Sequence, residues 1–316
     1  MAKNKNCRDF TDLDAIAPKD VKAIIALAHK LKKSPLAYRP MEGKTLALIF
    51  EKPSTRTRVS FEVGMRQLGG SVTTLTGAEI QLGRGETITD TGRVLSRYVD
   101  IIMARVFAHE KLLELAAGAS VPIINGLTDY SHPGQVIADL MTAEERLGDL
   151  KGKKVVWLGD GDNNVLNSWM QVASVMGFSL TIICPPEFAP QRPLLAGLQK
   201  AGAKIKVTAN IGEVKGAHIV LTDCWVSMHN SDASVREQLL APYQVNQSVM
   251  KHAAKDAIFM HCLPAHRNEE VTDGVLDGRQ SAAWDEAENR LHAHKAIICW
   301  CMGVDPAANK KKSQSK

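Results

Sequence analysis

The sequence lacks paired cysteines and long apolar runs, and each absence excludes a class of protein. Its six cysteines contain no CxxC pair and lie mostly in apolar, strand-like stretches, as free thiols do when they pack as small hydrophobic side chains. We therefore expect a reducing, cytoplasmic setting. No apolar run reaches the roughly 18 residues of a membrane span. Because residues 1–20 are mixed and charged, we predict no signal peptide and no membrane partner.

Acidic residues are absent from residues 307–316, and this absence explains most of the net charge. The formal net charge is +5 at pH 7, and four of the lysines, Lys310, Lys311, Lys312 and Lys316, lie in that stretch. Without them the rest of the chain is close to neutral. We therefore interpret 307–316 as a basic, disordered tail and predict no nucleic-acid partner.

Two kinds of apolar segment alternate along the chain, which has 316 residues and 45% apolar content. Val21, Ile24, Ala28 and Leu31 recur at helical spacing, whereas residues 45–50 form a continuous apolar run typical of a buried parallel strand. The further predicted strands are 71–75, 101–105, 121–124, 154–158, 179–184, 204–208, 219–222 and 257–260. This alternation predicts an α/β protein with two doubly wound parallel-sheet domains joined by interdomain helices.

The alternation restarts after residue 147, which places a domain boundary there. We expect a first domain over 1–147, a second over 148–285, and a final helix over 286–306 that packs back on the first domain. Ligands of doubly wound folds bind beyond the carboxyl ends of the strands, where loops meet helix N-termini. Most of the chemically suggestive residues fall at such places.

Residues 54–58, Ser-Thr-Arg-Thr-Arg, follow the strand 45–50 and open a helix. The free backbone N–H groups and the positive end of the helix dipole favour an anion at this turn. Ser54, Thr55 and Thr57 can donate to separate oxygens of a tetrahedral anion, and Arg56 can bind two oxygens at once. A simple helix cap is the alternative for Ser54 alone, and Arg58 is the member of the set that we expect to be structural.

This segment resembles the carbamoyl-phosphate signature of the aspartate and ornithine carbamoyltransferases. Further matches follow along the whole chain in the order of that family, and three of them resemble its ornithine branch. The match to the family as a whole is His132-Pro-Gly-Gln135 with Asp139. The three matches to the ornithine branch are Asp223-Cys-Trp-Val-Ser227-Met228, His261-Cys-Leu-Pro264 and Glu288-Asn-Arg290.

The resemblance implies transfer of a carbamoyl group from carbamoyl phosphate to the side-chain amine of ornithine, giving citrulline and phosphate in arginine metabolism. It implies that residues 1–147 bind carbamoyl phosphate, that 148–285 bind ornithine, and that neither an organic cofactor nor a metal is needed. It also implies a homotrimer in which the loop carrying Gln81 reaches a neighbouring subunit's site.

By the same resemblance, Arg105 and His132 would reach the carbonyl oxygen, and Gln135 the carbamoyl NH₂ group. From the residues alone, a salt bridge for Arg105 and a turn position for His132 stay open. The full set of carbamoyl-phosphate contacts that the resemblance implies is Ser54, Thr55, Arg56, Thr57, Gln81, Arg105, His132, Gln135, Cys262, Leu263 and Arg290.

The acceptor amine sets a second chemical requirement. An alkyl amine has a pKa near 10.4, so removing its proton at pH 7 costs about 4 to 5 kcal/mol. The resemblance makes Asp223 and Cys262 the partners of that amine, with Arg105 and His132 completing the catalytic set. It gives the ornithine contacts as Asn164, Asp223, Ser227 and Met228. The family usually has glycine after Ser-Met, whereas His229 follows here, so the acceptor depends on a loop that departs from the family pattern.

Other interpretations of these motifs are less consistent with the residues. A Cys-His protease dyad at His261 and Cys262 is disfavoured because neighbours in an extended chain point to opposite faces. A metal cluster of these two with His266 lacks a matching second pair, and a buried inert thiol is the remaining alternative for Cys262. The loop from Gly159 has Asn164 where a dinucleotide fingerprint has its third glycine.

Three alternative functions remain to be separated. The first is carbamoyl transfer to putrescine, N-acetylornithine or aspartate, the second a non-catalytic phosphoanion sensor, and the third a nicotinamide dehydrogenase. Ser227 with Met228 disfavours putrescine and N-acetylornithine, and Cys262 disfavours aspartate. A sensor would need the phosphate donors but not the residues on the amine side.

Overall fold

The structure is a computed structural model that describes residues 7–77, 85–226 and 233–305. The chain divides into two units, one made of Met1–Ala138 with Asn289–Lys316 and the other of Asp139–Glu288. The predicted site residues Gln81, Ser227 and Met228, the neighbouring His229, and the tail 307–316 lie outside the described residues. Within the described ranges, no helix combines the length and apolarity that crossing a membrane requires.

The first unit is built on a four-stranded parallel sheet. Residues 46–49 of its first strand are fully buried, as expected for a strand covered on both faces. The apolar side chains of one face pack with Leu112 and Leu115. The strands are β1 (Thr45–Phe50), β2 (Ser71–Thr76), β3 (Ile101–Arg105) and β4 (Ile123–Leu127), in the spatial order β2-β1-β3-β4.

Helices follow the strands as the alternating pattern predicts. The first helix buries Val21, Ile24, Ile25, Ala28 and Leu31 along one stripe, which is the arrangement expected for an amphipathic helix. The helices up to the second sheet are α1 (Pro18–Lys33), α2 (Thr55–Gln67), α3 (Ile88–Leu95), α4 (His109–Gly118) and α5 (Pro133–Leu147).

The second unit contains a five-stranded parallel sheet. Its core includes Val156, Leu158, Val220 and Phe259. The strands are β5 (Lys154–Leu158), β6 (Ser179–Ile183), β7 (Lys204–Thr208), β8 (Ile219–Leu221) and β9 (Ile258–Met260), in the order β7-β6-β5-β8-β9. The helices are α6 (Asn164–Met176), α7 (Arg192–Lys200), α8 (Ala233–Leu240), α9 (Gln247–His252), α10 (Asp273–Leu276) and α11 (Ala283–Cys301).

Each sheet has one point at which the strand order reverses. In the first, the chain leaves β1 for β2 and returns to β3 on the other side of β1; in the second, it leaves β5 for β6 and β7 and returns to β8. The carboxyl ends of the two strands at such a reversal border the ligand crevice of a doubly wound fold. The predicted fold class is therefore confirmed, and the crevice positions are β1 with β3 and β5 with β8.

Candidate active site

The segment after β1 forms the N-terminus of α2. Ser54 is the N-cap, and its Oγ accepts a hydrogen bond from the Thr57 backbone N–H at 3.3 Å. The cap places the first-turn N–H groups and the positive end of the helix dipole just beyond the carboxyl end of β1. Thr55 is exposed at the first position of the helix. The turn therefore has the free N–H groups and dipole that favour an anion, and Ser54 is its N-cap.

Two guanidinium groups converge on the side chain of Thr57, which is fully buried. Arg105 Nη1 donates to Thr57 Oγ1 at 3.3 Å, and Arg290 Nη2 donates to the same oxygen at 2.5 Å. Arg105 ends β3 directly beside Phe50 of β1, and Arg290 comes from α11. Two cations that share one neutral hydroxyl concentrate positive charge beside the helix N-terminus. We call Ser54, Arg56, Thr57, Arg105 and Arg290 the Thr57 site.

The two arginines of the segment 54–58 differ in their hydrogen-bond partners. Arg58 Nε donates to Glu62 Oε1 at 2.9 Å on the exposed face of α2. Arg56 Nε is buried and has no hydrogen-bond acceptor among the residues described. A buried charged donor without an acceptor is costly, so Arg56 is the side chain whose environment an anion would complete.

His132 and Gln135 lie at the start of α5. Both side chains are buried, and the Gln135 backbone N–H donates to the His132 carbonyl at 3.2 Å. Burial, followed by the positive charges of Arg290 and Arg105, holds the pKa of His132 well below its usual value. The imidazole is therefore neutral at pH 7 and can donate one hydrogen bond without adding charge.

Two basic residues near this site, Lys52 and His294, were not among the site residues predicted from the sequence. Lys52 is 8% exposed, with its ammonium 4.4 Å from the centre of the Phe107 ring, and burial together with Arg105 lowers its pKa. His294 stacks on Phe61 at 3.8 Å between ring centres, and its Nδ1 hydrogen-bonds Ser60 Oγ at 2.8 Å. A basic residue before Pro-Ser-Thr-Arg could have indicated Lys52. Nothing in the sequence indicates His294.

In the second unit, the carboxylate of Asp223 follows β8 and accepts three hydrogen bonds. Cys262 Sγ donates to Oδ1 at 3.2 Å, the Cys224 backbone N–H donates to Oδ1 at 2.8 Å, and Asn163 Nδ2 donates to Oδ2 at 2.9 Å. Burial, followed by the charge of Asp223, raises the pKa of Cys262 well above its usual value. Cys262 is therefore a neutral thiol donor at pH 7. We call Asn163, Asp223 and Cys262 the Asp223 site.

Asn163 is the residue of this site that sequence reasoning missed. It is the N-cap of α6, and its Oδ1 accepts from the backbone N–H groups of Val165 and Leu166 at 2.8 and 3.2 Å, which leaves its Nδ2 to bind Asp223. The predicted residue Asn164 is the next one along, the first residue of α6, and is half-buried. The preference of asparagine for N-caps, applied to the pair 163–164, could have identified it.

The turn after β9 is held by the ring of His261. Its Nδ1 accepts from the Leu263 backbone N–H at 2.9 Å, so its proton lies on Nε2, which donates to Glu270 Oε1 at 3.1 Å. The His261 backbone N–H also donates to Glu286 Oε2 at 3.0 Å. This support holds Leu263 at a φ of +58° beside a cis Leu263–Pro264 bond. His261 is thus engaged on both nitrogens and forms no dyad with Cys262.

The loop after β5 uses its glycines for close packing. Gly159 has a φ of +112°, and a Cβ there would lie 3.3 Å from both Thr222 Oγ1 and Trp225 Nε1. The next residue, Asp160, forms a short ion pair with Arg236, whose Nε donates to the Trp225 carbonyl at 2.8 Å. The loop is therefore tied to the segment after β8, which accounts for glycine here without a dinucleotide.

Comparison with known proteins identifies the family to which this chain is similar. Residues 8–145 match the model described as aspartate/ornithine carbamoyltransferase, carbamoyl-P binding domain, and residues 151–301 match the Asp/Orn binding domain. An ornithine carbamoyltransferase from Rhodopseudomonas palustris (strain BisA53) is 57% identical over 306 residues, which cover 94% of this chain and 98% of that protein.

Solved structures agree with this result. The ornithine carbamoyltransferase from Pyrococcus furiosus is 46% identical with a TM-score of 0.89, over 94% of this chain and 97% of that one. The ornithine carbamoyltransferase from Burkholderia thailandensis E264 is 42% identical with a TM-score of 0.86, over 93% and 98%. The chain belongs to the aspartate/ornithine carbamoyltransferase family.

Proposed function

We propose that this protein transfers the carbamoyl group of carbamoyl phosphate to the side-chain amine of L-ornithine, giving L-citrulline and phosphate. The observation that carries the proposal is the Thr57 site, an anion-binding helix N-terminus with two guanidinium groups on one buried hydroxyl. The acceptor is supported by relatives named ornithine carbamoyltransferase at 57% and 55% identity over nearly the whole chain.

On the carbamoyl-phosphate side, each polar group binds a particular part of the substrate. Ser54, Thr55 and Arg56 bind phosphate oxygens, because hydroxyls and a guanidinium at a helix N-terminus suit a tetrahedral anion. Arg105 and neutral His132 bind the carbonyl oxygen, on which negative charge develops when the amine attacks, and Thr57 binds both that oxygen and a phosphate oxygen. Gln135 binds the carbamoyl NH₂ group. Gln81, Cys262, Leu263 and Arg290 complete the proposed set, with Gln81 supplied by a neighbouring subunit of a homotrimer.

On the ornithine side, the acceptor amine must lose a proton before it attacks. The Asp223 carboxylate is the proposed partner of that amine, and hydrogen bonds from Asn163 and Cys262 hold it in position. Because Cys262 stays a neutral thiol, it orients Asp223 without competing as a nucleophile. Asn164, Ser227 and Met228 are the proposed contacts of the ornithine α-amino and carboxylate groups. In the reaction the N–C bond forms and the C–O bond to phosphate breaks. The ammonium nitrogen loses two protons, one before the attack, which passes to solvent, and one after it, which the departing phosphate takes up.

We also propose which part of the chain binds each substrate, and where in the cell the protein acts. We assign carbamoyl phosphate to residues 1–147 with the helix 286–306, and ornithine to residues 148–285. A cytoplasmic location is supported by the cysteines, all six of which are free thiols.

One assay tests the function directly. Purified protein would receive carbamoyl phosphate with ornithine, putrescine, N-acetylornithine or aspartate, and both the ureido product and phosphate would be measured. We expect ornithine to be preferred and the two products to form in equal amounts. Binding of carbamoyl phosphate without carbamoylation of any amine would favour the phosphoanion sensor, and a preference for putrescine would change the acceptor.

A further inference from the structure

Arg236 of α8 joins three loops of the second unit, although it has no role in the reaction proposed above. Its side chain is 10% exposed. Nη2 forms a short ion pair with Asp160, in the loop after β5, and Nε donates to the Trp225 carbonyl, after β8, at 2.8 Å. The centre of the Phe188 ring, in the loop after β6, lies 4.4 Å from Arg236 Cζ. We call Arg236, Asp160, Trp225 and Phe188 the Arg236 clamp.

Two of these loops carry the proposed partner of the acceptor amine and its support. The loop after β5 continues from Asp160 to Asn163, and Asp223 stands two residues before Trp225. Asn163 Nδ2 donates to Asp223 Oδ2 at 2.9 Å. Strands β5 and β8 border the crevice position of this sheet. Arg236 therefore ties together the two segments that meet at the Asp223 site.

The carboxylate of Asp160 also orders its own loop. Oδ1 accepts from the Asp162 backbone N–H at 3.0 Å, and Asp162 directly precedes Asn163. Burial raises the pKa of Asp160 to about 7, and the charge of Arg236 opposes that rise. Without Arg236 the carboxyl group would be mostly neutral at pH 7. A neutral carboxyl is a weaker acceptor than a carboxylate, so the hold on the Asp162 N–H would weaken.

The loops after β5 and β6 are in direct backbone contact. A Cβ added to Gly161 would lie 2.4 Å from the Phe188 carbonyl oxygen and 3.0 Å from Cys184 Sγ, so the close approach requires glycine. Gln191 Nε2 adds a hydrogen bond to Asp162 Oδ1 at 3.4 Å. The loop that presents the Phe188 ring to the guanidinium thus supports the loop after β5 as well.

We propose that Arg236 is a positioning residue for carbamoyl transfer, which holds Asn163 and Asp223 at hydrogen-bond distance. It does so through Asp160 and the Trp225 carbonyl and touches no substrate. This role rests on the proposed function, in which Asp223 is the partner of the amine. A buried ion pair alone is weak evidence of a role, because desolvation offsets much of its attraction. This pair differs because its partners lie three residues before Asn163 and two after Asp223.

Arg236→Gln in the full-length protein tests this role. Glutamine lacks the charge that Asp160 needs and cannot hold the Trp225 carbonyl at the same time. We expect kcat/KM for ornithine to fall roughly ten- to a hundredfold, since small displacements of reacting groups have effects of that size. Carbamoyl-phosphate affinity, measured by titration, should change by less than about threefold. Arg236→Lys keeps the charge without the planar set of donors, so it should recover part of the loss.

Val275→Ala separates positioning from a general loss of stability. Val275 is buried on α10 in the core of the same unit, so its truncation should lower the unfolding temperature without touching the clamp. We expect this variant to keep kcat/KM for ornithine. If Arg236→Gln does not fold, the double variant Asp160→Asn with Arg236→Gln leaves no unpaired buried charge. It should show the same selective loss of ornithine use.

Failure of this role and failure of the proposed function give different results. No carbamoyl transfer by the unsubstituted protein would refute the function and the role together. With an active unsubstituted protein, the role is overturned if Arg236→Gln keeps its kcat/KM for ornithine or loses no more than Val275→Ala does. An equal loss of carbamoyl-phosphate affinity in Arg236→Gln would overturn it too.

Discussion

Arg56 and Arg58 stand two residues apart on the first turn of α2 and have opposite surroundings. Arg58 is paired with Glu62 in solvent, whereas the Nε of Arg56 is buried without an acceptor in the described part of the chain. The ion pair of Arg58 agrees with the expectation that it is the structural member of the 54–58 set. The difference arises because positions two apart on an α-helix are rotated by about 200°, so the two side chains leave α2 on different faces.

This contrast gives a matched pair of variants. Arg56→Ala should weaken carbamoyl-phosphate binding by about two to three orders of magnitude, since a bidentate charged pair contributes about 3 to 4 kcal/mol. Arg58→Ala should change the affinity by less than about threefold, because exposed i,i+4 ion pairs contribute only about 0.3 to 0.5 kcal/mol. Isothermal titration with carbamoyl phosphate measures both. Equal affinities for the two variants would refute the assigned phosphate site.

Cys262 and Cys184 allow a similar comparison on the amine side. Cys262→Ala removes one donor to Asp223 and should lower kcat/KM for ornithine roughly ten- to a hundredfold. Carbamoyl-phosphate affinity, measured by titration, should change far less. Cys184→Ala removes a buried thiol outside the Asp223 site and should leave the ornithine KM unchanged. An effect of Cys262→Ala confined to carbamoyl-phosphate affinity would contradict the assigned role.

Two buried histidines make acid stability a further test. Burial, followed by nearby Arg290, lowers the pKa of both His132 and His294 in the folded protein. The unfolded chain then binds more protons than the folded one below about pH 6.5, the ordinary histidine pKa. The contribution of these two histidines to stability should thus be constant above that pH and fall as the pH drops below it. Urea unfolding between pH 7.5 and 5.5 measures this, and His294→Gln should flatten the dependence.

Among the elements, the strands were easier to predict than the ends of the helices. The bounds predicted for β1, β3, β5 and β7 agree with the structure, because a buried parallel strand is one uninterrupted apolar run. The predicted strand 121–124 was displaced from β4, since the buried polar Asn125 and Gly126 interrupt its apolar pattern. The final helix was expected over 286–306 and instead spans Ala283–Cys301, because a mixed run of alanine and charged residues does not mark where a helix starts or ends.

The site was less predictable than the fold, because the apolar pattern that reveals strands does not reveal contacts between residues distant in sequence. Arg105 and Asp223 were assigned by the family resemblance, and each follows an apolar strand, which is where a doubly wound fold binds its ligands. His294 and Asn163 were not assigned, since their partners are remote in sequence: His294 contacts Ser60, and Asn163 binds Asp223. Contacts of this kind depend on tertiary packing, which the periodicity of a local segment does not predict.

At the scale of an element, the loop between β5 and α6 depends on Gly159. Gly159→Ala should destabilise the protein by about 1 to 3 kcal/mol, because alanine at a φ of +112° is strained and its Cβ would crowd Thr222 and Trp225. Gly197 lies inside α7, and a Cβ added there would meet no described atom within 4 Å. Gly197→Ala should instead stabilise by about 0.5 to 1 kcal/mol. Thermal unfolding of both variants measures the difference, and destabilisation by both would contradict this explanation.

For the whole molecule, the first unit is discontinuous in sequence. It takes in residues up to Ala138 and again from Asn289, and the later stretch supplies Arg290 to Thr57, His294 to Ser60 and Lys295 to Gln67. Each of these side chains is buried in the folded unit.

This discontinuity has a consequence during synthesis. While the ribosome is still translating the second unit, the first unit has its four strands but lacks Arg290, His294 and Lys295. The Thr57 site therefore stays incomplete until Arg290 has emerged from the ribosome. A nascent chain released before Asn289 would carry residues 54–58 and yet lack the guanidinium that Arg290 donates to Thr57, so we expect it to bind carbamoyl phosphate more weakly than the full-length protein.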